Sequence, residues 1–162
     1  MMADLQEYPR IVPRPSQGLP GQIVMVFNGT HVGTATIPNA GHRDITIDTV
    51  TFGESSSVPN LADDGTVVGF TVPRTGTYII ETSVSFSGWT EDGTKYYQSR
   101  WGKNGVAQTW HFGGNPLGGH QAILFVSEKL TKDDTITLTT YHTYGSNKDI
   151  NVAGLTIYEV VN

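Results

Sequence analysis

The amino-acid sequence predicts an all-β protein: an antiparallel sandwich of two sheets, jelly-roll or Greek-key in its connections, preceded by an extended N-terminal arm. Three observations lead there. Nineteen Gly, twenty-one Thr and eight Pro accompany only 15% charged residues, where an average globular chain carries about 25%; this is a composition of turns and strands. From Gln22 onward the chain is a series of short apolar alternations punctuated by Gly, Pro and Asn, and no helix-length segment with capping signals competes with them. About eight to ten strands in roughly 140 residues, with few tight hairpins and several long crossings, suit two packed sheets better than an up-and-down barrel. A length of 162 residues is one ordinary domain, without internal repeats.

Residues 1–21 are the predicted arm. Pro9, Pro13, Pro15 and Pro20 fall within it, and no hydrophobic period of 2 or 3.6 is present. Proline lacks the donor a sheet interior needs and fixes φ, so the segment is expected to run in polyproline-like or irregular conformation. Single apolar residues set among the prolines suit an arm laid across a neighbouring surface. Tyr8, Pro9, Ile11, Val12, Pro13 and Leu19 are its candidate contact residues; a solvated linker is the alternative.

Residues 22–162 are the predicted sandwich, opening with a hairpin over 22–37 in which Asn28-Gly29 supplies the positive φ angles of a type I′ turn. Ile45–Phe52 reads as the next strand, Gly53–Gly65 as a loop, Val67–Val72 as a strand and Pro73-Arg74-Thr75-Gly76 as a turn. In the strand Thr77–Gly88, Tyr78, Ile80, Thr82, Val84 and Phe86 point to the core while Ile79, Glu81, Ser83, Ser85 and Ser87 point away. A second hairpin pairs Tyr96–Gly102 with Val106–Phe112 around Lys103-Asn104-Gly105, placing Tyr97, Trp101, Gln108, Trp110 and Phe112 on one face. The Gly-rich stretch 113–119 is a loop, and Ala122–Val126, Thr135–Tyr144 and Ile150–Val160 are the last three strands.

Charge and composition exclude several functions. A net charge of −5 without a basic cluster argues against nucleic-acid partners. No apolar run approaches the 18 residues of a membrane span, so no membrane partner is expected. Residues 1–9 carry neither a basic nor an apolar signal region, which predicts synthesis in the cytoplasm without a signal peptide. With no Cys there is no disulfide framework, thiolate zinc site or Cys nucleophile.

Catalytic and ligand-binding patterns are equally sparse. No Gly-x-Ser-x-Gly elbow occurs. His111, His120 and His142 lie in or beside the hairpin and strand region, but no His pair has the spacing that places two imidazoles on one metal. Asp63-Asp64 and Asp133-Asp134 lack the alternating spacing of a calcium loop and read as solvated turn acids. Asn28-Gly29-Thr30 matches a glycosylation sequon but reads as a turn. Trp89, Trp101 and Trp110 have the ring faces to stack on sugars, with interface or core packing as the alternative. No enzyme, cofactor or metal is expected.

Several segments resemble a known family. Phe70-Thr-Val-Pro73-Arg-Thr-Gly76-Thr-Tyr78 resembles the Phe-x-x-Pro-x-x-Gly-x-Tyr signature of C1q-like domains, the jelly rolls related to tumour necrosis factor. Ile45–Val50 resembles that family's early strand, and Lys103-Asn104-Gly105 its hairpin turn. Leu130-Thr-Lys-Asp133-Asp134-Thr-Ile136 is similar to its Leu-x-x-Gly-Asp-x-Val, and Val152-Ala-Gly154-Leu155-Thr-Ile157-Tyr158 to its closing strand. Asp133 stands where the family has Gly, Ala153 lacks the closing strand's first aromatic, and no collagen-like Gly-X-Y stalk precedes the domain. The resemblance spans 45–160 and implies a jelly roll that assembles as a homotrimer through apolar, often aromatic faces. Three Trp, seven Tyr and six Phe offer material for such a face. The candidates are Tyr96, Tyr97, Trp101, Trp110, Tyr141 and Tyr144, with core burial as the alternative for about half of them.

Together these features lead to the expectation of a non-enzymatic structural virion protein. It would be a trimeric decoration or cement protein on the capsid exterior of a bacteriophage, held to the major capsid protein by its arms, which add avidity at local threefold sites. The alternative is a receptor- or glycan-binding head of a phage fibre, tail or bacterial appendage, with the loops 53–65 and 113–119 as its tip. A third reading is a signalling or adhesion ligand like the animal C1q-like proteins.

Overall fold

A computed structural model describes residues 21–53, 58–86, 97–108 and 121–161. Its described residues form strands β1 (Ile23–Ile37), β2 (His42–Asp44), β3 (Thr49–Gly53), β4 (Val58–Leu61), β5 (Val67–Thr71), β6 (Gly76–Phe86), β7 (Tyr97–Lys103), β8 (Val106–Ala107), β9 (Gln121–Leu130), β10 (Thr135–His142) and β11 (Lys148–Val160). One sheet runs β3-β1-β11-β6-β9, the other β4-β5-β10-β7-β8 with β2 also on β10. Every pairing is antiparallel. The predicted two-sheet antiparallel sandwich is what the chain forms. The arm, residues 1–21, lies outside the described residues except for Gly21, whose N–H donates to the Val161 carbonyl.

The alternation that marked β6 sets the core. Tyr78, Ile80, Thr82, Val84 and Phe86 are all buried, and they face Phe70, Tyr97, Trp101, Ile136 and Leu138 of the second sheet. The Phe70 ring packs 5.6 Å from Phe27 and 6.5 Å from Tyr78, and Phe86 lies 4.5 Å from Tyr97. Within this apolar layer Ser99 Oγ donates to Thr82 Oγ1 at 2.7 Å, a satisfied polar pair tying β7 to β6 across the interior.

Three expected elements are corrected. The hairpin over 22–37 is instead one continuous strand, β1, held by β11 on one side and β3 on the other. Asn28 and Gly29 lie mid-strand opposite Thr156 and Leu155, so the sequon is strand rather than turn. Gly29 answers to close packing, because a Cβ there would meet Ile47 Cγ2 at 2.6 Å and the Phe27 ring at 2.8 Å. The strand expected over 45–52 forms only in its second half, as β3, and residues 45–48 are a crossing between the sheets. β2 pairs with β10, Ile47 N–H donates to Val67 O, and Asp48 N–H donates to Thr30 O of the other sheet before β3 begins. The expected loop 53–65 contains β4, paired along β5; its residues 54–57 lie outside the described set.

The hairpin at Asn104-Gly105 forms as predicted between β7 and β8, with φ of 51° and 77°. Asp133, where the resembled family has Gly, also takes a left-handed φ of 71°. The turn needs a residue that tolerates this region, and Asp is among the few besides Gly that do. Its neighbour Asp134 accepts from Thr131 N, Asn104 Nδ2 and Lys103 Nζ at 2.8–2.9 Å. Burial pushes the Asp134 carboxyl up, but these donors outweigh it and hold it below the usual range. Hydrogen bonds from the Thr66 side chain and then from its N–H, which donates to Asp64 Oδ1 at 2.9 Å, lower the Asp64 pKa. These acids are turn braces.

Candidate functional site

The residues of β6 that point away from the core define the outer face of the first sheet. Residues directly opposite in antiparallel pairs share a face, so the register places five cross-strand rows on it. From one end they are Ile23–Val160–Thr77–Lys129, Met25–Tyr158–Ile79–Ser127, Asn28–Thr156–Glu81–Phe125, Thr30–Gly154–Ser83–Ile123 and Val32–Val152–Ser85. Eight large hydrophobic side chains are exposed among the described residues, and five of them (Ile23, Val32, Ile123, Phe125, Val152) sit in these rows. Phe125 is 60% exposed and Ile123 57%. The rows cover roughly 14 Å by 27 Å of sheet plane at standard strand spacings.

The face has relief and little charge. Ile123 and Phe125 stand on edge strand β9, while Ile23, Val32 and Val152 stand on β1 and β11. Between these two apolar zones lie the small or short side chains of Gly154, Ser83 and Thr156. Glu81 and Lys129 are the charged groups of the described rows. The Tyr158 hydroxyl lies 3.5 Å from Glu81 Oε2, and burial followed by the Glu81 charge pushes its pKa up, so it stays a donor.

The outer face of the second sheet is built differently. Gln98 and Arg100 of β7 point outward yet are buried, at 0% and 2% exposure. Arg100 donates to Gln98 Oε1, approaches His42 Nδ1 at 3.3 Å and stacks over the Tyr141 ring at 5.1 Å. Thr139 Oγ1 donates to Asp44 Oδ1 at 2.6 Å. Partial burial and then the Arg100 charge lower the His42 pKa against the opposing pull of Asp44. This is a cross-linked polar layer, not a docking patch.

The structure redistributes the aromatic candidates. Tyr97 and Trp101 belong to the core between the sheets, 5% and 2% exposed, and cannot form an outer interface. Tyr141 is half-buried under Arg100 on the second sheet, and Tyr144 packs on the core edge with Lys148 Nζ 5.6 Å from its ring. Tyr96 and Trp110 lie outside the described residues, as do the arm residues Tyr8, Pro9, Ile11, Val12, Pro13 and Leu19, and also Trp89, His111 and His120. His142 is fully buried: Nε2 donates to Ile37 O at 3.0 Å and Nδ1 accepts from Tyr144 N at 3.2 Å. Among the described residues no three His, Asp or Glu converge as metal ligands. The apolar face carries residues that sequence reasoning had not singled out, notably Phe125, Ile123 and Tyr158. The available signal was the run Ala122–Val126, apolar at both parities of a strand.

No family model matches the chain, and no curated protein sequence matches it. Solved structures do. Murine APRIL superposes with a TM-score of 0.50 at 12% identity, covering 80% of this chain and 97% of its own. Eiger TNF from S. frugiperda gives 0.47 at 12% identity, covering 82% and 92%. A family 35 carbohydrate binding module from Clostridium thermocellum gives 0.35 at 9% identity, covering 83% and 97%. The likeness to APRIL is one of fold, and with the strand order above it identifies a jelly roll of the tumour necrosis factor type.

Proposed function

We propose that this chain is a non-enzymatic, self-associating jelly-roll protein that works as a homotrimer, docking copies through the outer face of its first sheet. The observation that supports this is the concentration of exposed apolar side chains on that one face, with low relief at its centre. Patches of a few hundred Å² are the scale at which exposed apolar surface marks an interface. The two apolar zones lie on opposite flanks of the face, so the β9 flank of one copy can meet the β1/β11 flank of the next. Such head-to-tail contacts close into rings; the C1q-like sequence resemblance supports three as the number.

Sedimentation equilibrium of the full chain tests this. A single species of three times the chain mass is expected, and Phe125→Lys should raise the dissociation constant at least a hundredfold while the monomer still melts cooperatively. A wild-type monomer at 100 μM, on the order of a weak interface, would overturn the reading.

Within it, the role we propose is structural: a decoration or cement protein on the exterior of a phage capsid, with residues 1–21 reaching the major capsid protein. The proline spacing of the arm supports this, since an extended segment fixed to each of three subunits multiplies weak contacts. Deleting residues 1–21 should abolish co-sedimentation with capsids and leave the trimer intact. Undiminished capsid binding would remove the arm from the mechanism.

A further inference from the structure

Glu81 is out of place on an apolar face. It occupies the middle row, with Phe125 opposite on β9, Thr156 opposite on β11, and Ile79 and Ser83 flanking it along β6. Its side chain is half-buried already. The groups facing it from the neighbouring strands are nearly all uncharged. From β11 it meets the Tyr158 hydroxyl, at 3.5 Å, and Thr156; from β9 Phe125, Ile123 and Ser127; beyond β11 lie Met25 and Asn28 of β1. The one cation in the described rows, Lys129, is two rows away, about 13 Å along the sheet at standard strand rise, and among the described residues no Lys or Arg pairs with Glu81.

We propose that Glu81 makes self-association through this face acid-dependent: the copies dock tightly when its carboxyl is protonated and are held apart when it is ionised. The inference rests on the self-association reading above. Docking removes water from the centre of the face, and a carboxylate stripped of water without a cation is strongly disfavoured against its neutral form. A ring also brings the Glu81 residues of its copies into one dry interior, where ionised carboxylates repel one another. The neutral carboxyl can donate a hydrogen bond to a hydroxyl such as that of Thr156 or Ser83, and Tyr158 remains able to donate to it. By linkage, a group whose pKa is higher in the assembled than in the free state is protonated on assembly, so assembly strengthens as pH falls. Up to one proton per chain is taken up, which makes a trimer's response steep.

Sedimentation velocity of the full chain at pH 7.5 and pH 5.0, at constant ionic strength, tests the inference alongside Glu81→Gln. The expected result is an association constant at least tenfold higher at pH 5.0 for the wild type. Glu81→Gln should be as tight at pH 7.5 as the wild type at pH 5.0, and nearly flat between the two. Wild-type association that is equal at both pH values overturns the proposal while leaving self-association intact. So does Glu81→Gln that keeps the pH dependence or associates more weakly than the wild type at pH 7.5; the weaker variant would mark Glu81 as a pairing group, for instance for Lys129 of a neighbouring copy. A chain monomeric in both forms at both pH values overturns the self-association reading and this inference with it.

Discussion

The two outer faces of the sandwich are built from the same alternation and end in opposite states. On the first sheet the outward positions carry Ile, Val and Phe in contact with solvent, with a lone carboxylate among them. On the second they carry Gln98, Arg100, Thr137 and Thr139, all buried, where Arg100 joins Gln98, His42 and Tyr141 by hydrogen bonds and ring stacking and Thr139 joins Asp44. A buried polar layer offers little apolar surface for a further contact to remove from water, whereas an exposed apolar layer does. Burial and polarity together therefore separate the face that is finished from the face that waits for a partner.

Two glycines sharpen that contrast, and they give the largest expected effect. Gly69, on the second sheet, lies so close to β10 that a Cβ would sit 1.9 Å from the Ile136 carbonyl oxygen and 2.9 Å from its carbon, both backbone atoms that cannot step aside. Gly154, in the fourth row of the first face, would place a Cβ 2.9 Å from Ser83 Oγ, the end of a side chain that can rotate. Gly69→Ala should cost at or beyond the top of the roughly 1–3 kcal/mol of overpacking, enough to abolish cooperative unfolding. Gly154→Ala should shift unfolding by less than about 0.5 kcal/mol, the range of surface changes. Urea titration of both variants checks this, and equal destabilisation would erase the distinction between the faces.

Next in size is the removal of Arg100. Arg100→Leu leaves the buried Gln98 Oε1 without its donor, which should destabilise the fold by about 1–3 kcal/mol, and takes the cation from the Tyr141 ring. The corresponding cut on the other side, Ile123→Thr, removes exposed apolar surface and should leave monomer stability within about 0.5 kcal/mol while weakening association. Chemical denaturation paired with sedimentation separates the two readouts. Arg100→Leu that unfolds like the wild type would show the polar layer to be ornamental.

Much of this architecture was legible in the residues because local signals and tertiary environment agreed. The period-2 pattern of β6 named its core face residue by residue, and Lys103-Asn104-Gly105 announced a hairpin turn, which forms with left-handed φ at Asn104 and Gly105. The same dipeptide at Asn28-Gly29 misled, because a local turn preference does not count partners. That segment has a strand on each side, and its glycine serves the approach of Ile47. The apolar face was less legible for a related reason. Ile123, Leu124, Phe125 and Val126 are consecutive, so periodicity cannot say which parity faces water. Counting aromatics pointed to Tyr97 and Trp101 instead, which lie on an interior strand of the second sheet and are taken up by the core.

The smallest predicted effect concerns acid, and it separates the faces by sign. His142 is buried and neutral: burial is the main cause of its lowered pKa, with Lys148 adding to it and the hydrogen bond to Ile37 O opposing. The unfolded chain takes its proton near pH 6.5, so the stability this residue contributes is fully present above that value. It is lost as pH falls from there towards the lower folded-state pKa. His42, also lowered, adds in the same direction. Acid thus weakens the fold through the second sheet while strengthening association through Glu81 on the first, and in the wild-type chain the two offset one another. The monomeric Phe125→Lys background removes the association contribution. There, urea midpoints should decline between pH 7.5 and 5.5, and His142→Gln should be less stable at pH 7.5 yet show a shallower decline. A midpoint in that background that is flat with pH would mean that the buried imidazole is as well accommodated charged as neutral, and the acid response of the protein would then belong to its first face alone.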